Sequence, residues 1–251
     1  MKKKETQLIP HPEWVGGIDF NKPEPDPCLK LNKGTLTQIA NAYDSHAFLD
    51  AEGVLWILGN KLNIVLRTST TIAKFIVDGI SDDDKTIIES KAFVRGAEIN
   101  SQITREIEKS GLNDRGHYLR FSEGCLNNIR DSYTAKAIRG EAEERYNKEL
   151  SRLKSKRINN FNIKHDELTG ELLVKKTSEF SHIRSKKVFK QFALYIENGL
   201  IVNKGTHDQI TKEGIIDENQ LQFFCEQKGW KTDWYNYYID FLRETYNENE
   251  D

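Results

Sequence analysis

Three residues in the last third of the chain, His182, Asn198 and His207, are of types that suit hydrolytic chemistry. An imidazole, with an ordinary pKa of about 6.5, can take a proton from water near neutrality or give a lone pair to a divalent cation. The three occur in the order His, Asn, His at intervals of 16 and 9 residues. Arg184, Lys186, Lys187 and Lys190 follow His182 closely.

Short elements must hold these side chains together. Glu179-Phe180-Ser181-His182-Ile183 reads as a strand, and Asn198-Gly199-Leu200-Ile201-Val202-Asn203 as a turn into a second strand. Thr206-His207-Asp208-Gln209-Ile210 opens a helix, with Thr206 as its cap. Upstream, Asp166 to Glu171 has turn composition.

Over about fifty residues, roughly 165–213, the chain resembles the HNH, or ββα-metal, nuclease family. In that family the first strand carries a His pair or Asp-His, the loop an Asn, and the helix opens with a metal-binding His. Asp166-x-x-Thr169-Gly170 is similar to the family's Cys-x-x-Cys-Gly or Cys-x-x-Thr-Gly turn. The resemblance implies a metal-dependent endonuclease acting on DNA, duplex foremost, in a restriction or defence setting. Phosphodiester cleavage needs an activated water, a cation for the charge at phosphorus, and relief of the leaving oxyanion. His182 is then the base, Asn198 the residue that fixes the His182 strand, and His207 the ligand of a divalent ion (Mg²⁺, Mn²⁺ or Ni²⁺). Arg184, Lys186, Lys187 and Lys190 are expected to grip phosphates beside the scissile bond. Ser181 stands where the family has a first ligand, usually Asp or His. Either Ser181 itself, with waters and a phosphate, or Asp208 completes the set, or the site is an inactive, nucleic-acid-binding relic.

The rest of the chain reads as helical. Leu36, Ile39, Ala40, Tyr43, Ala47 and Phe48 recur at helical spacing towards Gly53, and Val54–Leu58 with Leu62–Leu66 form a hairpin or a buried helix. Ser81 before Asp82, Asp83 and Asp84 reads as a helix start. Ile99, Ile103 and Ile107 continue one face to Gly111, and a second long helix is expected from near Ser122 to Arg157. The fold expected is mainly α with a small ββα module, α+β overall. Its parts are an extended arm (1–34), a helical domain for recognition or dimerisation (35–159), and the nuclease-like module with a helical cap (160–251). The Trp and Tyr residues of 230–242 have the spacing of a core-covering helix.

Composition bounds these readings. The chain has 251 residues, 37% hydrophobic and 30% charged, with net charge −2. That excludes collagen-like and low-complexity classes, and its most apolar stretch is too short for a bilayer span. Cys28, Cys125 and Cys225 are odd in number and far apart, which argues against a disulfide framework. With no apolar run behind Lys2-Lys3-Lys4, a cytoplasmic location is expected. Residues 148–190 carry twelve Lys or Arg against five Asp or Glu, and residues 191–251 five against twelve, a +7 band beside a −7 tail. Such a band suits a polyanion, although a solvated helix face gives the same count. A helical protein–protein adaptor is the third reading, and it requires band and motif to coincide by accident.

Overall fold

The computed structural model describes residue 11 and residues 13–247. The basic start at Lys2–Lys4 and the acidic end at 248–251 lie outside the described residues. The chain divides into two compact units, 1–144 and 145–251. Both mix helix with antiparallel sheet, so the fold is α+β.

The N-terminal unit is built on a five-stranded sheet of order β1-β2-β3-β5-β4. Its strands are β1 (Val15–Gly16), β2 (Ala47–Leu49), β3 (Leu55–Leu58), β4 (Lys85–Ile88) and β5 (Lys91–Arg95). Its helices are α1 (Lys33–His46), α2 (Leu62–Val65), α3 (Thr70–Asp78), α4 (Gly96–Ser110) and α5 (Asp114–Arg130). Ile39, Tyr43, Ile57, Val94, Ile99, Ile103 and Leu119 lie in its core. The arm is stitched on at Trp14, whose ring stacks on Trp56 and meets Phe93 edge-on.

Four sequence expectations are corrected in this unit. α1 ends at His46, and the apolar run Ala47-Phe48-Leu49 after it is buried in the sheet as β2. Of the two apolar runs around Gly59, only the first is a strand. The second turns helical, because spacing at i, i+3 and i+4 buries Leu62, Val65 and Leu66 together. Ser81 makes no side-chain cap and precedes a single 3₁₀ turn. Thr86-Ile87-Ile88 then takes the extended form that β-branched residues favour. Glu89 and Ser90, both at positive φ (49° and 63°), reverse the chain into β5. The helix expected from Ser122 is two helices: Asn113 caps α5, and the chain breaks at Asp131-Ser132 before α6 (Tyr133–Phe161).

The end of α6 belongs to the C-terminal unit. Beyond it lie β6 (Glu179–His182), β7 (Gly199–Val202), α7 (Lys204–Lys212), α8 (Glu218–Lys228) and α9 (Trp234–Asn247). β6 and β7 pair antiparallel with Glu179 opposite Val202 and His182 opposite Gly199. Leu200 and Val202 enter a core with Ile210 of α7, Leu221 and Cys225 of α8, and Tyr238 of α9. Phe180 and Ile201 turn to the other face, against Ile163 and Leu173. The aromatic residues of 230–242 thus cover a core as their spacing implies. The cap of α7 is Asn203, not Thr206, which is the helix's third residue. Among the described residues no helix is long and apolar enough to cross a membrane.

Candidate functional site

Asp166, fully buried, organises the approach to α7. Its Oδ1 accepts the N–H groups of Leu168 and Thr169, both at 2.9 Å, which folds the 166–170 turn. Its Oδ2 accepts Asn203 N–H and the Thr206 hydroxyl, both at 2.7 Å, at the head of α7. Negative charge there also suits the positive end of the helix dipole. One carboxylate therefore fixes the helix that carries His207. Beside it, Glu167 pairs bidentately with the buried Arg157 of α6 and accepts Ile201 N–H at 2.6 Å. Arg157 donates onward to Ile196 O at 2.8 Å.

Asn198 is equally committed. Its Oδ1 accepts Arg184 N–H at 2.9 Å and the Tyr238 hydroxyl at 2.8 Å, and its Nδ2 donates to Arg184 O and Phe192 O. The side chain thus closes the 183–198 loop directly after His182. Gly199 is required for packing there, since a Cβ would stand 2.2 Å from the Phe180 ring.

His182 sits at the end of β6, half-buried, with the Phe180 ring edge-on at 4.9 Å. Its Nε2 lies 3.0 Å from Ala193 O. A carbonyl only accepts, so Nε2 carries the proton and Nδ1 keeps the lone pair. Burial is the main cause that lowers its pKa below the ordinary histidine value. The Ala193 carbonyl opposes this, and the charges of Lys186 and His207 add to it. His182 is therefore neutral at pH 7, with a free Nδ1.

His207 lies on α7 with its Nδ1 3.0 Å from Glu179 Oε2. A proton on Nδ1, donated to that carboxylate, leaves the Nε2 lone pair free for a cation. Glu179 was missed by sequence reasoning. The signal available was the period of two: Glu179 and Ser181 pair with Val202 and Leu200, so both lie on the sheet face that meets α7.

Ser181 is buried on that same face. Asp208 is exposed and pairs with Lys204 at 3.1 Å, and Lys204 also approaches Glu179 at 3.4 Å. These two carboxylates hold the Lys204 pKa above its ordinary value, Asp208 contributing most. Arg184 is bound bidentately to the buried Glu218, both contacts 2.6 Å, and lies over the Phe189 and Phe192 rings. Its guanidinium is thus occupied within the fold. Lys186, Lys187 and Lys190 are exposed along the 183–198 loop.

The donor set for a divalent cation is small: His207 Nε2, with Glu179 bonded to the other ring nitrogen and so placed to orient the imidazole. Among the described residues no group of three or more His, Cys, Asp or Glu side chains converges. Such a set does not make a closed cage. A cation at His207 Nε2 would have to take most of its other ligands from water. No protein-family model, curated protein or solved structure matches the chain.

Proposed function

We propose that the C-terminal unit is an HNH-type, metal-dependent endonuclease that hydrolyses phosphodiester bonds of DNA. One pairing supports the reading: His182 ends β6 in a setting that favours its neutral form with Nδ1 unbonded, and the charge of His207, whose Nε2 Glu179 leaves open on α7, acts on it. His182 Nδ1 takes the proton of the attacking water, and the Ala193 carbonyl steadies the resulting imidazolium through Nε2–H. Asn198 keeps the 183–198 loop, and with it His182, in place. His207 would hold the cation through Nε2, with Glu179 orienting its ring, and the cation would supply charge stabilisation at the phosphoryl oxygens. Lys186, Lys187 and Lys190 meet the flanking phosphates, while Arg184 acts from inside the fold by holding the loop to Glu218.

The test is relaxation or linearisation of supercoiled plasmid with Mg²⁺, Mn²⁺ and Ni²⁺ supplied separately, against an EDTA control. Cleavage that needs metal and is lost in His182→Ala is expected. Absence of cleavage with every metal, with DNA binding retained, overturns the reading in favour of an inactive, nucleic-acid-binding module. The Ser181 position is the observation that favours that second reading.

A further inference from the structure

The N-terminal unit holds a cleft that the reading above does not use. It lies between α1 and the turn from Lys61 to Thr68, and has a volume of about 500 Å³. Lys61 and Arg67 line it together with His46 and the amides of Gln38, Asn41 and Asn63. None of its lining residues is Asp or Glu. A concave surface bearing two cations and no carboxylate concentrates a positive potential, because low-dielectric walls focus the field.

Arg67 is held there against its own backbone preference. Its φ is 48°, in the left-handed region that a residue with a Cβ rarely enters. The conformation is fixed from outside: Arg115 donates to Arg67 O at 2.9 Å and Leu66 O at 3.1 Å, and is itself paired with Glu106. The Arg67 guanidinium then lies over the Tyr118 ring, 5.4 Å from its centre. An unfavourable backbone that neighbours enforce beside a cleft is a common mark of a ligand site.

We propose that this cleft binds a short stretch of single-stranded nucleic acid through its phosphodiester backbone. Lys61 and Arg67 neutralise adjacent phosphates, and the amides of Asn41, Asn63 and Gln38 meet sugar and base edges. The volume suits about one or two nucleotides and is too small for a duplex groove. The proposal concerns binding alone and stands whether or not the C-terminal unit cleaves.

The test is fluorescence anisotropy of the full chain with a labelled 12-nucleotide single strand in EDTA, across a salt series. Lys61→Ala combined with Arg67→Gly is expected to weaken binding at least tenfold. It should flatten the salt slope by about 1.4, two contacts at roughly 0.7 each. Glycine accepts the positive φ, so the thermal midpoint should not fall. Asn41→Asp with Asn63→Asp, which keeps side-chain volume and adds negative charge, should weaken binding similarly. Inorganic pyrophosphate should displace the strand from the wild type. Wild-type affinity and slope in both double variants, or no displacement by pyrophosphate, overturns the proposal. An intact plasmid in the cleavage assay leaves this result untouched.

Discussion

The Tyr238 hydroxyl donates to Asn198 Oδ1 at 2.8 Å, and both side chains are fully buried. An aromatic residue of α9 thus reaches through the core to the amide that closes the His182 loop. Burial raises the Tyr238 pKa well above the ordinary tyrosine range, so it stays a donor at every working pH. Tyr238→Phe removes one of four bonds to Asn198 and should cost about 1 kcal/mol. Asn198→Ala leaves the Arg184 backbone groups, Phe192 O and the Tyr238 hydroxyl without that partner, and should cost at least twice as much. Urea unfolding of both variants checks the order.

His182 and His207 should separate by readout. His182→Ala should abolish cleavage while metal and DNA affinities remain near wild type, since a base acts chiefly in the transition state. His207→Ala should lower metal affinity as well. Glu179→Ala, which removes the carboxylate that orients His207, should weaken metal binding by about 10- to 100-fold. Titration calorimetry with Mn²⁺ reads all three. Equal metal affinity in wild type and Glu179→Ala would remove Glu179 from the site.

The pH profile follows from the His182 shift. The working form is the neutral imidazole, and burial moves its protonation below the ordinary histidine value. Activity should therefore be flat through pH 7 and fall only as the pH drops beneath that value. A single-turnover profile at saturating metal would expose the acid limb. A limb above pH 7 assigns the base to another group.

Arg184 and the loop lysines should behave oppositely. Arg184→Ala leaves Glu218 buried without its partner and should destabilise the fold by about 3–5 kcal/mol. Lys186→Ala with Lys187→Ala should leave stability unchanged and flatten the salt dependence of duplex binding by nearly two contacts, at about 0.9 each. Denaturation midpoints and salt-titrated affinities distinguish the two. Lys2→Ala with Lys3→Ala is the control that should alter neither.

Local sequence signals carried far in the C-terminal unit. Alternation around Ser181, the turn at Asn198-Gly199 and the polar start of α7 each act within a few residues, so spacing alone located β6, β7 and α7. Arg184 shows where that reasoning stops. Its charge was visible, but Glu218 lies 34 residues away and enters only through the packing of α8. Glu179 is the same lesson at short range, because its partnership with His207 depends on which sheet face α7 covers. In the N-terminal unit the sheet was hidden, since β4 follows three aspartates that imitate a helix start. β4 pairs with β5 alone, and it is β5 that joins the hairpin to the distant β3, with Val94 opposite Ile57.

The turn at Asp166 does with four hydrogen bonds what a zinc knuckle does with thiolates. The only cysteine of this unit, Cys225, is buried in the core, and burial pushes its thiol pKa up to about 11, where it is inert. The scaffold around His207 thus takes its shape from the Asp166 carboxylate rather than from a thiol. On the proposed reading, a chelator should remove activity and leave that scaffold folded, and added cation should restore activity without refolding.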